Sequence, residues 1–225
     1  MDVLLACLCA GLVVALVRQV RTTTRTTELL RGQHGAEIER LSGLALHDSL
    51  TGLPNRVLLV DRLRHALASQ RRRGGRVGVL FLDLDGFKAV NDVYGHAVGD
   101  EVLATIAARL RRAVRSGDTP ARLGGDEFVI VCEGVVDEAA LIVAAQRLEG
   151  AVCAPIVLGD ITVRLGASIG RVLSDPDCVE SPSYAATRLL TAADHNMYDV
   201  KRARQLRLIE LGVLNQLAAR SVPLV

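Results

Sequence analysis

Ala121-Arg122-Leu123-Gly124-Gly125-Asp126-Glu127-Phe128-Val129-Ile130-Val131-Cys132 places two apolar stretches on either side of a glycine pair. Adjacent glycines take positive φ at low cost. The string therefore predicts a tight hairpin between a strand over 121–123 and one over 127–132, with Asp126 and Glu127 at its tip. Upstream, the apolar run 77–84 predicts a buried strand that ends among two carboxylates, Asp83 and Asp85. Before that strand, turn chemistry over 51–55 leads into an amphipathic helix near 57–71. After it, a helix is expected to begin past Gly99-Asp100. Val102, Leu103, Ile106, Leu110 and Val114 share one face there, and Arg109, Arg111, Arg112 and Arg115 share the other. Further on, the pattern predicts a helix over 137–153, a hairpin over 156–172, a helix over 186–203 and a short strand over 206–211. These mixed connections imply an α+β domain over 47–211, with helices packed on a largely antiparallel sheet.

Composition narrows the function. With 27 basic and 25 acidic residues the net charge is +2, too small for the bulk field that drives nucleic-acid binding. Only 3% of residues are aromatic and Trp is absent, which argues against a base-stacking platform for single strands. Cys7, Cys9, Cys132, Cys153 and Cys178 form neither a disulfide framework nor a zinc-ligand spacing. Mean hydropathy of +0.30 is concentrated at the start of the chain, where Val3 to Val17 is an unbroken apolar run. That run would span roughly 22 Å of a ~30 Å hydrocarbon core, with Met1 and a snorkelling Arg18 completing it.

Residues 1–20 are accordingly expected to be a transmembrane anchor, with a signal peptide or a buried helix as the alternative. Arg18, Arg21, Arg25 and Arg31 would then leave the remainder in the cytoplasm, which predicts a single-pass protein of the cytoplasmic membrane. Residues 21–46 are read as a linker, either helical and self-pairing or flexible, and 212–225 as a tail.

The acidic residues carry the chemistry. Carboxylates at strand ends suit Mg²⁺, which wants hard oxygen, takes one or two protein carboxylates and leaves positions for phosphate. Gly86 with the amides of Phe87 and Lys88 would form a small anion nest, assisted by the Lys88 ammonium. Each feature alone is also consistent with a solvated cap or a plain turn.

Together, several segments resemble one family. They are His47-Asp48-Ser49-Leu50-Thr51-Gly52-Leu53-Pro54-Asn55-Arg56, Leu82 to His96, Gly99-Asp100, and Arg122 to Phe128. Ala167-Ser168-Ile169-Gly170 and Ala193-Asp194 with Met197-Tyr198 and Lys201 follow in the same order. These resemble the diguanylate cyclases, the GGDEF-domain family. The resemblance implies a nucleotidyl-cyclase-like fold with a central, largely antiparallel five-stranded sheet flanked by helices. It also implies condensation of two GTP into cyclic di-GMP with release of two pyrophosphates.

By that resemblance Asp83, the Leu84 carbonyl and Asp126 are ligands of Mg²⁺ or Mn²⁺. Glu127 either binds a second metal or helps to deprotonate the attacking 3′-hydroxyl. Asn91 and Asp100 read guanine, whose N1–H and N2–H₂ a carboxylate can accept, and Lys201 with the Phe87 and Lys88 amides contacts phosphates. Arg115 and Asp118 form the Arg-x-x-Asp of an inhibitory cyclic di-GMP site. A homodimer is expected, because one guanine pocket presents one GTP to a product that is two-fold symmetric. The alternatives are a GTP or cyclic di-GMP receptor without turnover, or a cyclase that makes another dinucleotide or a mononucleotide.

The chain departs from the family's pattern near its end. Where the family has Ala-Lys-x-x-Gly-Arg, this sequence reads Val200-Lys201-Arg202-Ala203-Arg204-Gln205, and Asn196 replaces an alanine. A phosphate-binding arginine is thereby missing, and Arg204 or Arg202 are the candidates to replace it.

Overall fold

The computed structural model describes residues 46–73 and 75–220. After a bridge between His47 and Pro54, the elements run α1 Arg56–Arg73, β1 Arg76–Asp85, α2 Phe87–Ala113, β2 Thr119–Gly124 and β3 Glu127–Val135. They continue with α3 Glu138–Cys153, β4 Ile156–Leu158, β5 Ile161–Val163, β6 Gly166–Leu173 and α4 Pro182–Arg220.

The main sheet is four-stranded in the order β2-β3-β1-β6, all pairs antiparallel, and β4 with β5 forms a separate two-stranded ribbon. β1 is buried from Val77 to Leu84 because helices cover both faces. On one face Leu80, Leu82, Phe128 and Ile130 pack with Ile106 and Leu110 of α2 and Leu141 and Leu148 of α3. On the other, Val79, Phe81, Val129 and Val131 pack with Leu59 and Leu63 of α1 and Leu189 and Met197 of α4. The alternation of the strand thus sends Leu82 and Leu84 to the first face. Asp83 and Asp85 go to the second, under α4.

Four expectations are corrected. The sheet has four strands plus the ribbon, so a five-stranded sheet is not upheld. The strand expected over 206–211 lies inside α4, because no glycine or proline follows Met197 before Gly212 and the residues between are mostly good helix formers. The hairpin expected over 156–172 divides, with 156–163 forming the ribbon and β6 pairing with β1. The helix expected after Gly99-Asp100 starts at Phe87 and is interrupted only at Gly95, whose φ is 83°.

The membrane placement is corrected as well. The apolar run 3–17 and the linker 21–46 lie outside the described residues, and among the described residues no helix is long and apolar enough to cross a membrane. α4 has the length, at 39 residues, but carries Arg188, Asp194, Asp199, Lys201, Arg202 and Arg204. The single-pass location in the cytoplasmic membrane is therefore not upheld.

Candidate active site

Strand register builds the acidic centre. Asp83 and Glu127 are direct cross-strand partners on β1 and β3, and Asp126 precedes Glu127 at the hairpin tip. Gly124 at φ 150° and Gly125 at φ 52° make the turn, as the glycine pair predicts. Asp126 is half-buried, less exposed than a hairpin tip suggests. Its backbone carbonyl accepts from Leu84 N–H at 3.3 Å. Because N–H and C=O of a strand residue point to the same side, the Leu84 carbonyl is directed toward the same tip.

Charge accumulates there. Burial, then the neighbouring Asp83, pushes the Asp126 carboxyl above its ordinary value. Burial, then Asp194, Asp83 and Asp126, raises Glu127. Lys201, reaching over from α4, places Nζ 2.6 Å from Asp83 Oδ1. Burial alone would lower this ammonium, but the hydrogen bond and charge of Asp83 hold it above its usual range. A cleft of about 240 Å³ adjoins Glu127, floored by Leu59, Phe81 and Leu190 and rimmed by Arg56 and Asp194.

Among the described residues no three His, Cys, Asp or Glu side chains form a metal-binding group. The donors nonetheless fit a hard dication that completes its shell from substrate. Asp83 and Asp126 supply carboxylate oxygen where repulsion already favours a positive partner.

The expected anion nest follows directly on β1. Gly86, at φ 87°, caps α2, and the helical ladder starts with Ala89 and Val90 donating to Gly86 O. The Phe87 and Lys88 amides are thus left outside the ladder at the positive end of the helix. Phe87 is buried, while Lys88 is exposed. Across the Gly95 break the Asn91 carboxamide packs against Gly99, where a Cβ would collide with it, and Asp100 is the next residue along the helix. Glycine at 99 therefore leaves room for the Asn91 side chain, one residue before the exposed Asp100.

Arg115 and Asp118 stand apart from this cluster. Asp118 accepts from Arg115 N–H at 3.1 Å and from Glu133 N–H at 3.3 Å, so the carboxylate shapes the turn, while Arg115 is exposed.

Two arrangements escaped the sequence reading. Arg122 donates from Nε and Nη2 to Gly125 O at 3.0 and 2.8 Å, and from Nη1 to both Asp48 oxygens at 2.9 and 3.1 Å. Asp48 also accepts from Thr51 N–H and Oγ1 at 2.8 and 2.6 Å. Burial alone would raise Asp48, but the Thr51 and Arg122 hydrogen bonds pull it below the ordinary carboxylate range. The clamp ties the signature turn to the 47–55 turn. Both ends lie in segments already quoted, so the motifs themselves were the signal. Arg122→Ala should lower kcat by about 10- to 100-fold, as the tip carrying Asp126 and Glu127 loses its anchor, with product formation per enzyme as the readout.

The second is a network at Asp85, which accepts from Ser168 Oγ and from Arg204 Nη1. Arg204 is thereby committed away from the expected phosphate position, and Arg202 is exposed.

Acidic strand ends beside a glycine-opened helix, in this α+β frame, suit a domain that handles a metal-bound phosphate ester. The chain belongs to the family "Diguanylate cyclase, GGDEF domain", whose description matches residues 45–207. It is 44% identical over 185 residues to the bifunctional diguanylate cyclase/cyclic di-GMP phosphodiesterase MucR of Pseudomonas aeruginosa, covering 81% of this chain and 25% of MucR. It is 41% identical over 175 residues to diguanylate cyclase TpbB of the same species, covering 76% of this chain and 39% of TpbB. The chain thus spans a quarter to two fifths of the length of these relatives. Among solved structures, the coiled coil and GGDEF domain of DgcB from Caulobacter crescentus, in complex with c-di-GMP, matches with a TM-score of 0.70 at 25% identity. That match covers 82% of this chain and 94% of that one.

Proposed function

We propose that this protein is a metal-dependent diguanylate cyclase that condenses two GTP into cyclic di-GMP and two pyrophosphates, with its catalytic domain over 47–211. The observation that carries the reading is the pairing of Asp83 with Glu127 across β1 and β3, with Asp126 beside them and Lys201 reaching in. Asp83, Asp126 and the Leu84 carbonyl would hold Mg²⁺ or Mn²⁺, which neutralises charge on the α-phosphate and the departing pyrophosphate. Glu127, with its raised carboxyl, is suited to accept a proton from the 3′-hydroxyl. Asn91 and Asp100 would select guanine. Lys201, Lys88 and the Phe87 and Lys88 amides would bind the triphosphate.

The active species is a homodimer, because each domain holds one GTP and each 3′-hydroxyl must reach the other's α-phosphate. Specific activity of the full chain should therefore fall on dilution, as the dimer dissociates. A constant value from a species that stays monomeric would contradict the dimer. Chelation of divalent cations should stop the reaction, and Mg²⁺ or Mn²⁺ should restore it.

Cyclic di-GMP also acts as an inhibitor at Arg115 and Asp118. Since the Asp118 carboxylate is engaged with backbone amides, Arg115 carries most of the contact. Arg115→Ala should raise the product inhibition constant by about 10- to 150-fold with turnover retained, measured from progress curves with added product. The absence of the family's phosphate-binding arginine favours a second reading, a GTP or cyclic di-GMP receptor without turnover. That reading predicts nucleotide binding with no product.

A further inference from the structure

The chain places Arg204 and Gln205 where its family carries glycine and a phosphate-binding arginine. Gln205 is exposed. Arg204 lies 100° around the helix and turns inward, toward the end of β1. Its Nη1 donates to Asp85 Oδ2 at 2.9 Å and to the Ala167 carbonyl at 2.6 Å, and its Nη2 donates to Glu149 Oε1 on α3 at 3.0 Å. Ser168 Oγ lies 2.9 and 3.1 Å from the two oxygens of the same carboxylate, so Asp85 is held from two sides. One guanidinium therefore joins α4, α3, β6 and the last residue of β1.

That last residue sits immediately before Gly86, from which α2 departs with the Phe87 and Lys88 amides outside its ladder. An unneutralised carboxylate at this point would repel a triphosphate approaching those amides and would be held by Ser168 alone. Arg204 removes both effects, since its planar fork bridges several acceptors at once where an ammonium reaches one direction at a time.

We infer that Arg204 is a positioning residue for the substrate's phosphates, acting through Asp85 to neutralise and fix the turn that presents the Phe87 and Lys88 amides. The inference rests on reading the site as a GTP site. The arginine's charge is kept close to the triphosphate although its direct contact is gone, with Lys201 and Lys88 left as the cations that touch it.

The test uses the full chain, with binding of a non-hydrolysable GTP analogue and of guanosine measured beside steady-state turnover. Arg204→Ala should weaken the triphosphate analogue about tenfold, equivalent to about 1.4 kcal/mol. It should raise KM by a similar factor with kcat within about twofold, and leave guanosine affinity unchanged, because only the phosphates sense Asp85. Arg204→Lys, which keeps the charge and one contact, should recover part of the loss and serves if the alanine variant folds poorly. In an Asp85→Asn background the same Arg204→Ala change should cost the triphosphate little, since the carboxylate next to the Phe87 and Lys88 amides is gone and Glu149 lies on α3.

Equal losses for guanosine and triphosphate would show that Arg204 merely supports the fold, and unchanged triphosphate affinity would overturn the inference outright. A parent that binds the analogue but forms no cyclic di-GMP would refute the cyclase reading, while the affinity ratios still decide the role of Arg204. A parent that binds no guanine nucleotide would overturn both.

Discussion

Replacing Asp126 by alanine is expected to cut turnover by about three orders of magnitude while leaving the protein folded, and at least as stable at neutral pH. The lost carboxylate is one of two that would gather cations around a polyanionic substrate, a role worth several kcal/mol in the transition state. About 4 kcal/mol corresponds to roughly a 10³-fold loss in rate. Folding should survive because the contact tying this residue to β1 is its backbone carbonyl, which alanine keeps.

The sign of the stability change follows from the carboxyl's environment. Burial and Asp83 raise its value in the folded state, so the ionised form is less favourable folded than unfolded. That penalty is absent below the ordinary carboxylate value, grows as pH rises through the folded value, and is fully present above it. Alanine removes the penalty. The parent and the variant should therefore unfold at similar denaturant concentrations in acid, with the variant equal or higher at neutral pH. A variant that retains near-parental turnover would remove Asp126 from the reaction.

The largest effect on stability is expected at Gly170 in the middle of β6. A Cβ there would run into the Ala193 carbonyl and the Met197 backbone, so α4 lies directly against this strand and has no side chain that could yield. Gly170→Val should destabilise by about 3 kcal/mol, the upper part of the range for overpacking, and lower Tm by about 6 to 12 °C. Because α4 also delivers Lys201 and Arg204, substrate affinity should fall in the same variant. Gly150 is the control. It lies inside α3, where a Cβ would meet open space, so Gly150→Ala should be neutral or stabilising by up to about 1 kcal/mol. Equal melting temperatures for Gly170→Val and the parent would mean that α4 does not pack on β6 as described.

How far the sequence could be read depended on whether a signal was local. The Gly124-Gly125 hairpin and the burial of 77–84 were legible because turn chemistry and an apolar run act on their own neighbours. The carboxylates were legible as residues, and their convergence follows from the register of β1 with β3. Less was visible where a local cue misled. Gly95 and the polar residues around it masked a helix that begins at Phe87, and the alternating Leu206-Arg207-Leu208 imitated a strand within α4. Pairing of β6 with β1 joins residues more than eighty positions apart and leaves no local mark. The same holds for the Asp48 to Arg122 clamp and for the turning of Arg204 toward Asp85, whose partners adjoin only after folding.

Resolving the nucleotides formed when the full chain is incubated with GTP and Mg²⁺, with ATP as a parallel substrate, decides whether this protein is a diguanylate cyclase. A diguanylate cyclase forms cyclic di-GMP with two pyrophosphates per molecule of product, from GTP alone. Unchanged GTP under conditions where the protein binds it, or a cyclic mononucleotide as the product, would contradict that activity.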